Sequence, residues 1–198
     1  WVICENKFMP HDIRILKGGY SSDQHGKKVA VMVDEWPRSS DEPIGHIIDV
    51  LGVPGENNTE MHAILTEYGL PFKFDPSVEK EADKIDDRID QKEIKARKDF
   101  RGVTTFTIDP ADAKDFDDAL SIRKLPEGNW EVGVHIADVT HYVRPGSLVD
   151  KEALERATSV YLVDRTVPML PEKLSNKLCS LRPNEEKLCF SAVFEITE

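Results

Sequence analysis

What the sequence has little of narrows the search first. It carries three cysteines in 198 residues, Cys4, Cys179 and Cys189, without zinc-like spacing. A disulfide scaffold is excluded, and an odd, sparse count suits a reducing, cytoplasmic setting. No apolar run approaches the length of a membrane span, and no secretory signal opens the chain, so no membrane is expected. Basic excess is also lacking: the formal net charge is −11. Alone this speaks against nucleic acid, since phosphate binding wants a basic surface. The objection weakens where the acid is concentrated in one cluster and one helix, because a bound cation would reverse the local field. No serine or cysteine nucleophile has a convincing local base, which removes triad chemistry. The chain is 39% hydrophobic and 32% charged, enough for one large domain or two small ones.

Among what is present, one stretch organises the rest. Thr107 to Ala119 holds five aspartates and one lysine. Aspartate favours neither strand nor helix, yet the stretch lies between two β-like runs, Val103–Ile108 and Ala119–Ile122. Crowding carboxylates as solvent is lost raises their pKa values or opposes folding unless a cation compensates. Mg²⁺ or Mn²⁺ fits hard oxygen ligands. Asp115 and Asp117 are two apart and share a side of an extended backbone, with Phe116 turned away as an anchor. Asp118 covers the opposite flank. Asp109, before Pro110, is biased to an extended conformation and can return a carboxylate to the same place. One or two metals held there would suit phosphoryl chemistry. A solvated aspartate turn fits the same spacing. A calcium loop fits poorly: counting from Asp109, the glycine and glutamate positions hold Lys114 and Leu120.

The pattern Asp109-Pro110-Ala111, three residues, then Asp115-Phe116-Asp117-Asp118-Ala119 resembles the active-site signature of the ribonuclease II/ribonuclease R family, nearer its ribonuclease R members. Val134-His135-Ile136-Ala137-Asp138-Val139, Gly146-Ser147, Thr158-Ser159-Val160-Tyr161, Pro168-Met169-Leu170-Pro171, Leu174-Ser175-Asn176 and Leu178-Cys179-Ser180-Leu181 follow as in that family. The match covers Arg101 to Glu198. It implies a Mg²⁺-dependent (Mn²⁺ as an alternative), processive 3′→5′ exoribonuclease that hydrolyses RNA to nucleoside 5′-monophosphates. Asp109 and Asp118 would be metal ligands, Asp115 would complete or orient the site, and Asp117 would be the most critical. Asp112 is not one of the family's four. Tyr161, by the same resemblance, would stack near the 3′-terminal nucleotide; read without it, Tyr161 is a helix core residue. The implied partner is single-stranded RNA engaged at its 3′ end by a monomer. The family's downstream arginine and S1-type domain are not among these residues. A non-catalytic RNA-binding module with vestigial aspartates is the rival reading.

The expected fold is mixed α and β in three parts. Residues 1–56 read as a cold-shock, oligonucleotide-binding β-barrel. Strands are expected at Trp1–Cys4, through Val29, Val31 and Val33, and over His46–Leu51, with Gly18, Gly19 and Gly26 in turns. Asn6 to Ile13 resembles the start of the family's second such barrel. Phe8, Tyr20, Lys27, Lys28 and Arg38 are candidate RNA contacts, although Phe8 and Tyr20 suit a core as well. Residues 57–100 read as a helical connector: a Met61, Ile64, Leu65, Tyr68 stripe, then a helix from an Asp75 cap and Pro76 through a charged run to Lys98. Residues 101–198 read as the start of an α+β catalytic domain, with a hairpin over Ala119–Ile136, a helix from Ser147 through Tyr161 and a shorter one at Leu174–Leu178. His135 and Asp138 read as structural residues. Trp1 begins, and Phe194 and Ile196 end, inside strand patterns, so the chain is expected to be a piece of a larger protein.

Overall fold

The computed structural model describes residues 1–5, 8–38, 40 and 42–197. They form two compact units, 1–72 and 73–198. The stretch read as a helical connector is shared between the two. Among the described residues, no helix is long and apolar enough to cross a membrane. Asn6 and Lys7, part of the expected barrel start, lie outside the described residues.

In the first unit, β1 (Arg14–Ile15), β2 (Lys28–Glu35) and β3 (Ile44–Gly52) make an open sheet in the order β1-β3-β2. The closed barrel expected for this region is not formed among the described residues; three strands, one of only two residues, are too few to close a sheet on itself. The strand expected at Trp1–Cys4 is reduced to one bridge, Val2 to Ile13. β2 and β3 pair antiparallel with three register irregularities. Helix α1 (Asn57–Glu67) packs on both, burying Leu65 and Thr59. Gly52 makes that approach possible. Its φ is +138°, and a Cβ there would run into the Thr59 side chain.

The second unit opens with α2 (Pro76–Asp83), capped by Asp75, whose carboxylate accepts the Ser77 N–H at 2.8 Å. The helix expected through to Lys98 is broken. It resumes only as α3 (Gln91–Ala96), capped by Asp90, which takes the Lys92 N–H at 3.0 Å. Between them Asp86 takes the Arg88 N–H. Aspartate side chains compete with the helix for backbone donors, and here they win.

A four-stranded antiparallel sheet follows, in the order β4-β5-β6-β9: β4 (Thr105–Phe106), β5 (Asp118–Lys124), β6 (Trp130–Ala137) and, last in the chain, β9 (Cys189–Ile196). β4 is much shorter than the expected Val103–Ile108 strand. The β5–β6 hairpin forms as expected around Pro126–Asn129. Leu125 N–H bonds Asn129 O at 2.8 Å, and Gly128 turns the chain at φ +97°. Between β6 and β9 lie α4 (Val139–Tyr142), α5 (Leu148–Arg156), the paired two-residue strands β7 (Val160–Tyr161) and β8 (Thr166–Val167), and a wide helical turn, α6 (Leu174–Leu178), closed by Cys179 N–H on Leu174 O. The core joins α2, α5 and α6 through Val78, Ala82, Val149, Leu174, Leu178 and Cys179, with Ala137 at the end of β6.

Helix α5 stops earlier than expected. Ala157 adopts φ +62° and ends it, so Tyr161 lies in β7 and is 66% exposed rather than in a helix core.

Candidate active site

The aspartate loop has little regular structure of its own, and its shape comes from what grips it. Phe116 N–H donates to Ser180 Oγ at 3.0 Å, and that hydroxyl donates to Lys114 O at 2.9 Å. Leu181 N–H bonds Phe116 O at 2.8 Å, and Ala137 N–H bonds Asp117 O at 3.0 Å. The backbone from Lys114 to Asp117 is thereby fixed to the segment after α6 and to the end of β6. Asp118 is the first residue of β5, paired with Ile136. Asp118 is left open to solvent, Asp115 is half-buried, and Asp117, exposed over the residue as a whole, has protein packed around its carboxylate.

The four candidate aspartates share a field. The protein packed around the Asp117 carboxylate, and then the negative charges of Asp115, Asp118 and Asp109, raise its pKa above the usual carboxylate range. Among the described residues, no lysine or arginine pairs with Asp109, Asp115, Asp117 or Asp118. Elsewhere in the second unit exposed carboxylates do find cations: Asp86 pairs with Arg88 and Asp99 with Arg101. The loop therefore holds like charge without internal compensation, which a hard divalent cation would relieve. The donor chemistry fits such an ion. The side chains do not form a finished cage, since no three His, Cys, Asp or Glu side chains among the described residues are placed to hold one metal together.

Tyr161 comes to the same place from β7. Its phenol donates to Asp115 Oδ2 at 2.9 Å. That bond, then burial, raises the phenol pKa. An exposed aromatic ring is thus tied to one of the four carboxylates.

The two residues read as structural are so placed. His135 is 4% exposed, with Nδ1 2.7 Å from Ser191 Oγ and Nε2 2.8 Å from Ser121 Oγ. Burial lowers its pKa. Asp138 caps α4, accepting from Thr140 Oγ1 at 2.7 Å and pairing with Arg97 at 2.8 Å. Burial alone would raise it; Thr140 and Arg97 hold it below its usual value.

A cavity of about 910 Å³ lies on the His135 face of the sheet. It is lined by Phe116, Ala119, His135 and Val193 among others, and by none of the four aspartates. Phe116 thus departs from its aspartate neighbours, as the two-residue alternation predicts.

In the first unit, Phe8 is 97% and Tyr20 59% exposed, so neither is a core residue. Lys28 is the candidate contact that the structure withdraws. Its ammonium is 2.8 Å from Glu5 and 2.6 Å from Glu60, occupied by protein carboxylates. Sequence reasoning missed Ser180 as part of the site. It lies 64 residues from Phe116, and the resemblance at Leu178-Cys179-Ser180-Leu181 does not show that its hydroxyl reaches the loop.

An open three-stranded sheet is followed by an α+β unit with an aspartate loop at a strand entrance, and comparison with known proteins assigns the family. A cold shock domain model matches residues 1–75 and an RNB domain model matches residues 97–198; the chain belongs to the RNB family. It is 44% identical to ribonuclease R of Aquifex aeolicus over 91% of this chain and 26% of that protein. It is 40% identical to the exosome complex exonuclease RRP44 of Mus musculus over 96% of this chain and 20% of that protein. Among solved structures, Mycoplasma genitalium RNase R in complex with double-stranded RNA superposes with a TM-score of 0.85 at 30% identity, over 94% of this chain and 33% of that one. The chain spans about a quarter of the length of the curated relatives it matches.

Proposed function

We propose that the protein carrying this chain is a processive 3′→5′ exoribonuclease that hydrolyses single-stranded RNA to nucleoside 5′-monophosphates with Mg²⁺, Mn²⁺ being the alternative ion. The observation that carries this is the uncompensated carboxylate loop, in a chain whose relatives are named ribonucleases and exonucleases. A structural neighbour carries RNA, and RNA is the partner we assign here. We assign the protein to the cytoplasm, acting as a monomer.

Asp109, Asp115, Asp117 and Asp118 would hold the ion. When bound, Mg²⁺ supplies positive charge against the scissile phosphate and an acidified water. The chain's own residues do the rest. Their carboxylates, repelled by one another when empty, are neutralised together on loading, so the four act as a unit and not as separable contributions. Asp117, whose affinity for a proton is raised by burial and then by its three neighbours, would position a second metal or the attacking water. Tyr161 offers its ring to the terminal base, and aromatic stacking tolerates any base. Its hydroxyl bond to Asp115 sets the distance between the stacked nucleotide and the carboxylates. In the cold-shock unit, exposed Tyr20 offers a further stacking face.

The test is a 5′-labelled single-stranded RNA incubated with the full-length protein and Mg²⁺. Stepwise shortening from the 3′ end, and none when the 3′ end is sealed in a hairpin, is expected. Fixed internal fragments, or binding without shortening, would count against it.

A further inference from the structure

We propose that Ser180 is a positioning residue for the aspartate site, acting through the backbone on either side of Asp115; the proposal rests on the nuclease reading above and names a group outside the four carboxylates on which their arrangement depends. Ser180 is fully buried. Its single hydroxyl uses both of its capacities on the loop, accepting from Phe116 N–H at 3.0 Å and donating to Lys114 O at 2.9 Å. These two groups bracket Asp115. The next residue, Leu181, takes Phe116 O through its own N–H at 2.8 Å. Residues 180 and 181 therefore hold Phe116 by both its donor and its acceptor, and Phe116 separates Asp115 from Asp117. Among the described residues, the Ser180 hydroxyl bonds backbone groups and not a carboxylate.

The mount is the core. Ser180 follows α6 after buried Cys179, and α6 is seated in the core by Leu174 (0% exposed) and Leu178 (7%). A loop that carries repelling charges and lacks a ladder of its own has little reason to keep Asp115 and Asp117 in register. The Ser180 hydroxyl supplies one, from the core. Without it the Phe116 N–H and the Lys114 C=O, in bonds that are part-buried, lose that partner, and the backbone of Lys114 to Phe116 is freed to find others. Groups that orient ligands in this way change metal affinity or activity about 10- to 100-fold when removed.

The experiment compares Ser180→Ala with Val149→Ala in the full-length protein. Val149 is 2% exposed in the same core, on α5, and makes no bond to the loop, so its truncation reports loss of stability alone. For each variant the Mg²⁺ concentration giving half-maximal RNA shortening is measured, together with Mn²⁺ binding by electron paramagnetic resonance and exchange of the Phe116 amide. Ser180→Ala is expected to raise the half-saturating Mg²⁺ about 10- to 100-fold, to weaken Mn²⁺ binding by a similar factor, to expose the Phe116 amide, and to leave RNA affinity unchanged. Val149→Ala is expected to lower Tm without moving any metal readout. Unchanged Mn²⁺ and Mg²⁺ dependence in Ser180→Ala, or an equal shift in Val149→Ala, would overturn the proposal. If Ser180→Ala does not fold, Ser180→Cys, which keeps the volume but bonds weakly, is read in the same way. If the unmutated protein shortens no RNA, the nuclease reading fails, while Mn²⁺ binding and amide exchange still decide the role of Ser180.

Discussion

From Asp118 to Lys124 the backbone pairs residue by residue with Trp130–Ile136. From Asp109 to Asp117, immediately before, it has no such ladder and is held from outside by Ser180, Leu181 and Ala137. The two stretches are consecutive in sequence and are stabilised by different means. The sheet stretch satisfies its own polar groups and buries Ala119 and Ser121. The loop spends its side chains on like charge and borrows its shape. A strand of self-sufficient structure is thus placed next to a segment held by its neighbours, whose carboxylates are left for a ligand, and functional groups tend to concentrate in such segments.

The contrast can be broken most completely by withholding the proposed Mg²⁺. Stripping divalent cations with a chelator is expected to abolish RNA shortening while far-UV circular dichroism, which reports the sheet and helices, stays unchanged. Parallel loss of both would mean that sheet and loop are not separable. The next largest effect comes from the sheet side. A Cβ at Gly133 would come within 2.6 Å of His135 Nε2 and also meet the Ser121 hydroxyl, so Gly133→Ala should cost about 1–3 kcal/mol in urea unfolding. A smaller change of opposite sign is expected at Ala157, held at φ +62° where α5 ends. Ala157→Gly should stabilise by about 1 kcal/mol without altering Tyr161, and unchanged Tm would argue against strain there.

The smallest effect is a pH dependence. Burial lowers the pKa of His135 below its ordinary 6.5. The unfolded chain then takes up the proton first as pH falls, so the contribution to stability is full above about 6.5 and is lost between that value and the folded one. His135→Gln should flatten the decline in Tm over that window. An identical pH profile in both proteins would remove His135 as its cause.

How much of this was legible in the sequence follows the same divide. The β5–β6 hairpin could be read from alternation and from the Pro126–Asn129 turn, because period-two burial and turn residues are local signals. The four candidate aspartates are a proposal drawn from their spacing and from resemblance. The grip of Ser180 on Phe116 could not be read, since the two lie 64 residues apart and the resemblance at Leu178–Leu181 does not say which backbone groups the hydroxyl bonds. The break between α2 and α3 was hidden for another reason. Ile85 and Ile89 continue the apolar stripe, while the Asp86 and Asp90 side chains take the backbone donors. Tyr161 was misplaced because α5 ends on an alanine in a left-handed conformation, where a glycine would have announced the stop. The open sheet of the first unit differs from the expected barrel because strand patterns count strands but do not establish closure.

The central claim is that the aspartate loop is the reactive part of this chain, and Asp117→Asn in the full-length protein tests it most directly. With 5′-labelled single-stranded RNA and Mg²⁺, the unmutated protein should shorten the RNA stepwise from its 3′ end. Asp117→Asn should bind the same RNA with little change and leave it intact. Shortening by Asp117→Asn at an undiminished rate, or equal loss of binding and turnover, would contradict the account.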